Sequence, residues 1–345
     1  MKKSKKRALY NFPLLALVIL LLALAIGLFY YRYNLGKLLV IRSQNSNQLS
    51  EKDYERIRDG LVTIVKIQNP KLALNKLRGL ISDNAVANSC HGLAHEIGHA
   101  SYKKYLSLDK ALEFNDEICG SGYIHGAVEE RMDNVSNIYS ELTKVCAPQN
   151  QGICFHGVGH GFMYYTNNNL PKSLQLCDLL SQDYGRINCY DGVFMENFEG
   201  DHFLHPSTYL RKSDPLYPCR DQKDAYKDSC YFYAPRFYLQ INNGDYVNAL
   251  SWCANAESGY KLTCIKGVGS GSMKQNLNDP KYVEKICLNA KSNTELNYCI
   301  DGMVSYYITN FYSLNAGKNM CGLLSKSNQQ SCFASVKKRQ NLFPN

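Results

Sequence analysis

The first fifty residues contain no aspartate or glutamate, although they hold eight lysines and arginines. That absence locates the charge of the whole chain. Residues 51–345 carry 31 basic and 30 acidic side chains, so the formal net charge of +9 belongs almost entirely to the N-terminus and argues for no nucleic-acid partner. No C-x-x-C or C-x-x-C-H occurs, which removes thioredoxin-like redox chemistry and covalent haem attachment. Nor is the chain poor in apolar residues: at 45% hydrophobic and 12% aromatic it can bury a large core and lacks a disordered composition.

The N-terminus begins with Lys2, Lys3, Lys5, Lys6 and Arg7 in a basic tail over 1–11. From Phe12 to Tyr31 there follow twenty residues without a charge, the length of a transmembrane helix. Ala23-Leu24-Ala25 fits a signal-peptidase site, but the apolar run continues beyond it, so 12–31 is expected to be an uncleaved anchor. Positive flanks stay in the cytoplasm, which puts a stalk and first helix over 32–67 and a domain over 68–340 on the far side of the membrane.

All fourteen cysteines lie beyond the apolar run, as suits disulfides in an exported chain. Their spacing pairs Cys177 with Cys189, Cys219 with Cys230, Cys253 with Cys264, Cys287 with Cys299, Cys321 with Cys332 and Cys146 with Cys154, leaving Cys90 for Cys119. No thiol then remains as a nucleophile. The second cysteine of five of the seven pairs opens a phrase C-x-x-G plus an apolar residue, as in CFHGVGHG, CYDGVFME and CIKGVGSG, and the second cysteines recur from Cys90 at steps of 29 to 41 residues. A period of this size signals stacked supersecondary units. Segments such as Asp279-Pro280-Lys281-Tyr282-Val283 introduce a helix A, and helix B starts at the next cysteine.

The predicted fold is therefore all-α: a helical-hairpin repeat solenoid of about seven to eight units, one disulfide per hairpin, plus an N-terminal transmembrane helix. In outline it resembles exported helical-hairpin repeats of the tetratricopeptide kind over roughly residues 68–340, although the tetratricopeptide consensus residues are absent. The recurrent glycine at 92, 122, 157, 192, 267 and 302 costs up to about 1 kcal/mol in a helix, and close packing in the stack is the plain reason to keep it.

Positions spaced by four share one face of helix B, since each step advances only about 40°. On that stripe fall His91, His95 and His99 in one unit, His125 and Glu129 in the next, and His156 and His160 in the third. Imidazoles at i and i+4 with a His or Glu on the next helix suit zinc, copper or iron. Packed helices lie about 8–10 Å apart, which points to His95 and His99 with His125 or Glu129 as one site. On that spacing His156 and His160 form a second site, or complete the first if the stack is tightly curved.

Two chemistries compete on these residues. HEIGH, over 95–99, resembles the zincin H-E-x-x-H motif. The likeness implies zinc on His95 and His99, Glu96 as general base, and Glu129 as the third ligand of the glutamate-type enzymes. No strand-rich segment precedes the motif to supply those peptidases' sheet edge, and Glu96 points about 100° away from His95 around the helix. The leading expectation is a membrane-anchored repeat protein whose helix B face holds a metal ion, zinc first, and presents it to a small molecule or to a protein or peptide on the concave face. Haem or copper held by a pair such as His95 and His160, and a metal-free interaction scaffold, are the further alternatives.

Overall fold

The computed structural model describes residues 16–23, 49–138, 146, 151–200 and 207–343, and every regular element in them is helical. Helices α1 (Glu51–Ile67) and α2 (Pro70–Leu80) precede the first long helix, α3 (Asn84–Tyr105). Short α4 (Leu108–Leu112) leads into α5 (Ile118–Asp133), and α6 (Gln151–Tyr165) follows. From there short and long helices alternate: α7 (Leu170–Asp178) with α8 (Asp183–Glu199), a 3-10 turn at Cys219–Asp221 before α9 (Asp224–Ile241), and α10 (Tyr246–Trp252) with α11 (Lys261–Gln275). Then come α12 (Pro280–Cys287) with α13 (Asn293–Phe311) and α14 (Leu314–Leu323) with α15 (Lys326–Lys337).

Local chemistry sets the helix starts. Asn69 and Asp279 accept from the backbone N–H groups of Leu72 and Tyr282, and each is followed by a proline whose missing N–H would have no helical partner. Ser292 and Ser313 cap α13 and α14 in the same way. Seven disulfides join Cys90–Cys119, Cys146–Cys154, Cys177–Cys189, Cys219–Cys230, Cys253–Cys264, Cys287–Cys299 and Cys321–Cys332. From Cys177 onward each ties a short segment to the long helix after it, and the apolar core fills the space between the two layers.

The long helices pack in chain order, α3 on α5, α5 on α6, and so on through α8, α9, α11 and α13. Then α13 returns to touch α5, and α11 touches α3. At this seam Asn88 Nδ2 donates to the Gln275 carbonyl (3.1 Å) and Asn278 Nδ2 to Asn84 Oδ1 (2.7 Å). The long helices thus enclose a central space, with their histidine stripe on its wall.

Glycine lets them approach closely enough. A Cβ at Gly122 would overlap the His91 carbonyl, one at Gly192 the His156 carbonyl, and one at Gly302 the Lys266 carbonyl. The same step recurs on both sides of the space, so the recurrent glycine is a packing device, as its periodicity suggested.

Two expectations change. The phrase beginning at Cys119 does not start a regular helix, because Cys119, Gly120 and Ser121 have left-handed φ values of 57°, 65° and 62°. The turn brings the Cys119 carbonyl to His91, 2.7 Å from its Nδ1. Among the described residues, moreover, no helix is long and apolar enough to cross a membrane. Of the apolar run at 12–31, residues 16–23 are helical with exposed side chains, and the rest lies outside the described residues.

Candidate metal centre

Three consecutive long helices supply the histidines. His91, His95 and His99 project from α3, His125 and Glu129 from α5, and His156 and His160 from α6. Residues two units apart are expected to share a site only if the stack curves sharply, and at these helices it does. His95 and His160 have ring centroids 5.2 Å apart, and His91 and His160 6.2 Å. The path of helices bends around α5: its Gly122 and Gly126 admit α3, Gly157 and Gly161 of α6 pack against its other side, and the stripes of all three converge.

Hydrogen bonds to acceptor-only oxygens decide which ring nitrogen carries the proton. His91 Nδ1 meets the Cys119 carbonyl at 2.7 Å, and a carbonyl can only accept, so Nδ1 is the donor. His95 Nδ1 meets Glu129 at 2.9 Å to Oε1 and 3.1 Å to Oε2. His160 Nδ1 meets Glu196 Oε2 at 2.8 Å. With Nδ1 as donor in all three, the neutral form of each ring would carry its lone pair on Nε2. Nε2 of His91 and Nε2 of His95 face each other at 2.9 Å, while Nε2 of His160 and Nδ1 of His125 are buried without any hydrogen-bond partner.

One nitrogen from each of His91, His95, His125 and His160 can be chosen so that all lie within 4.8 Å of one another. Four ligands at 2.0–2.1 Å from a tetrahedral ion stand about 3.4 Å apart, so the set is close to a coordination sphere. Burial holds His91, His125 and His160 well below the usual imidazole range, reinforced by neighbouring histidines, and carries His156 down to about 3. The rings are neutral, as ligands must be. Their Nδ1 contacts with a carbonyl and two carboxylates are the outer-shell bonds that orient ligating histidines.

His99 differs. Burial disfavours its charge, but Nε2 sits 2.6 Å from Glu129 Oε2 and Nδ1 3.3 Å from Glu130 Oε2, and these contacts push it up to about 10. Both nitrogens donate, so His99 is an imidazolium that fixes Glu129. Burial also opposes ionisation of Glu129, yet His95 and His99 hold its carboxyl well below the ordinary range. Atoms of His95, His99 and Glu129 also lie within ligand reach of one another, as do those of Glu129, His160 and Glu196.

His156 belongs to none of these groups; its Nε2 is 3.3 Å from Met195 Sδ, and its ring is 4.9 Å from that of His125. Glu96 lies in α3, half-buried, where its charge acts on Arg58 of α1 and on His99, and it too is outside the groups. Sequence reasoning passed over Glu130 and favoured a solvated or packing role for Glu196, although its acidic run could join a polar site. Each is adjacent to a stripe position rather than on it. The acidic run Glu196-Asn197-Phe198-Glu199 was the available signal for Glu196.

His91, His125 and His156 also line a cavity of about 610 Å³ that fills the centre of the helix array. Its opposite wall is built by Tyr233 and Arg236 of α9, Lys266, Ser270 and Lys274 of α11, and Tyr306 of α13. Comparison of the chain with family models, with curated proteins and with solved structures finds no match.

Proposed function

We propose that His91, His95, His125 and His160 bind one transition-metal ion, zinc first among those that favour imidazole, and that the protein presents this ion to the central cavity. The observation that carries the reading is the set of fixed tautomers. Three imidazoles have Nδ1 committed to oxygen acceptors, Nε2 of His91 and of His95 face each other at 2.9 Å, and one nitrogen from each of the four histidines lies within 4.8 Å of the rest. Lone pairs at this range repel unless a cation lies between them. The scaffold is read as a helical-hairpin repeat solenoid, held to a membrane through residues 12–31 with the cytoplasm at its N-terminus; seven disulfides support an oxidising location.

A zinc hydrolase on HEIGH is the second reading, favoured by the proximity of His95, His99 and Glu129. An ion there would have to displace the proton that His99 shares with two carboxylates. The two readings separate in metal content and in spectra of the full chain purified after metal-replete expression. The four-histidine site predicts one ion per chain, abolished by His125→Ala and retained by His99→Gln and His156→Ala. Retention in His125→Ala with loss in His99→Gln would transfer the ion to the HEIGH set, where Glu96→Gln should then keep zinc and abolish peptide hydrolysis. A chain without any ion ends both readings.

A further inference from the structure

The wall facing the histidines is as unusual as the histidines themselves. Arg236 is only 7% exposed. Its Nη1 donates to Glu199 and its Nη2 to Ser270 Oγ at 3.0 Å, but its Nε is buried with no partner. Lys274 Nζ reaches the other oxygen of the same carboxylate, Glu199 Oε1, at 2.9 Å. Two cations therefore share one anion, leaving a buried positive charge without a counter-charge in that cluster. Lys266 is paired with Asp301 at 3.1 Å and does not change this balance. Asp228 is occupied by Thr263 Oγ1 at 3.1 Å, and Asp191 lies on the same wall, where Lys266 and Arg236 both act on it.

The cavity lining carries three cations, Arg236, Lys266 and Lys274, against two carboxylates, Asp191 and Asp228, and all three cations are donors, so this wall favours a negatively charged acceptor. The guanidinium stands 4.5 Å from the Tyr233 ring centre and 5.8 Å from that of Tyr306, so an aromatic-walled space adjoins it. The cavity volume falls among those of small-molecule sites. We infer that the cavity binds a small organic anion, its carboxylate or phosphate seated on Arg236 and Lys274 and its body lying among the tyrosines before the imidazoles. This deepens the metal reading by naming what the ion faces, and rests on that reading only for the ligand's far end.

Calorimetric titration of the full chain with inorganic phosphate, and in a second arm with benzoate, tests the inference, with zinc content measured on the same sample. At least one anion should give a saturable single-site isotherm, and the arm that does so distinguishes phosphate from carboxylate chemistry. Combining Arg236→Met with Glu199→Gln removes both members of the buried pair and should weaken binding at least tenfold at unchanged zinc content. Should that variant not fold by circular dichroism, Lys274→Met, nearer the surface, should weaken binding about threefold or more by itself. Absence of saturation in both arms with zinc bound, or isotherms unaltered in the folded variants, overturns the inference. Arg236-dependent binding in a chain that holds no zinc supports it while the metal reading falls alone.

Discussion

The central cavity has two sides built from the same helical step and given opposite chemistry. On α3, α5 and α6 the wall is imidazole, neutral and lone-pair rich, backed by Glu129 and Glu196. On α9, α11 and α13 the equivalent positions carry Arg236, Lys266, Ser270 and Ser305, which offer donors and positive charge. The backbone contact is unchanged: Gly122 meets the His91 carbonyl on one side as Gly302 meets the Lys266 carbonyl on the other. Packing and chemistry are therefore separable in this molecule. Glycines set how near the helices come, and the stripe residues decide what the nearness is used for.

The largest expected effect tests the shared part. Gly122→Val and Gly302→Val should each lose about 3 kcal/mol or more in denaturant unfolding, because a backbone carbonyl cannot move aside for the new methyl groups. Equal losses would establish the common step, and a tolerant Gly302→Val would break the comparison. Next comes the metal-binding wall alone. Glu196→Gln, which weakens the bond that orients His160, should lower zinc affinity about 10–100-fold by competition with a chelator. Ser270→Ala on the opposite wall should leave that affinity unchanged.

A third test uses charge on the basic side. Burial opposes ionisation of Asp301, but Arg339 and Lys266 hold its carboxyl below the ordinary range. A depressed carboxylate stabilises the fold at pH above its unfolded value of about 3.9, and that stabilisation is lost as the pH falls from there. Asp301→Asn should cost about 2 kcal/mol at pH 7, with the deficit shrinking below about pH 4. A deficit that grows in acid would contradict the assignment. Smallest is Gly79→Ala in α2, where a Cβ meets nothing within 4 Å. It should stabilise by about 0.5–1 kcal/mol through helix propensity, marking glycines outside the contact as dispensable.

Much of this arrangement was legible in the chain. Cysteines eleven or twelve apart gave the staples, Asp279-Pro280 a helix start, and four-residue spacing the shared face of His91, His95 and His99. What escaped was curvature. Spacing along one helix reports nothing about the angle between helices, so whether His160 stood in a second site or joined His95 stayed open, and the two rings lie 5.2 Å apart. Tautomers escaped as well, since the Cys119 carbonyl becomes a partner of His91 only through a left-handed turn at residues 119–121. His99 looked equivalent to His95 in sequence, and only the second carboxylate, on Glu130, makes it a cation instead.

Every covalent cross-link described above is local, joining residues no more than 29 positions apart. None spans the seam where α11 meets α3, which relies on amides such as Asn88 and Asn278. The molecule is accordingly riveted within its units but only latched around its circumference. A force or a ligand that parts the latch would draw the imidazole bank and the guanidinium bank away from each other while leaving each rivet whole.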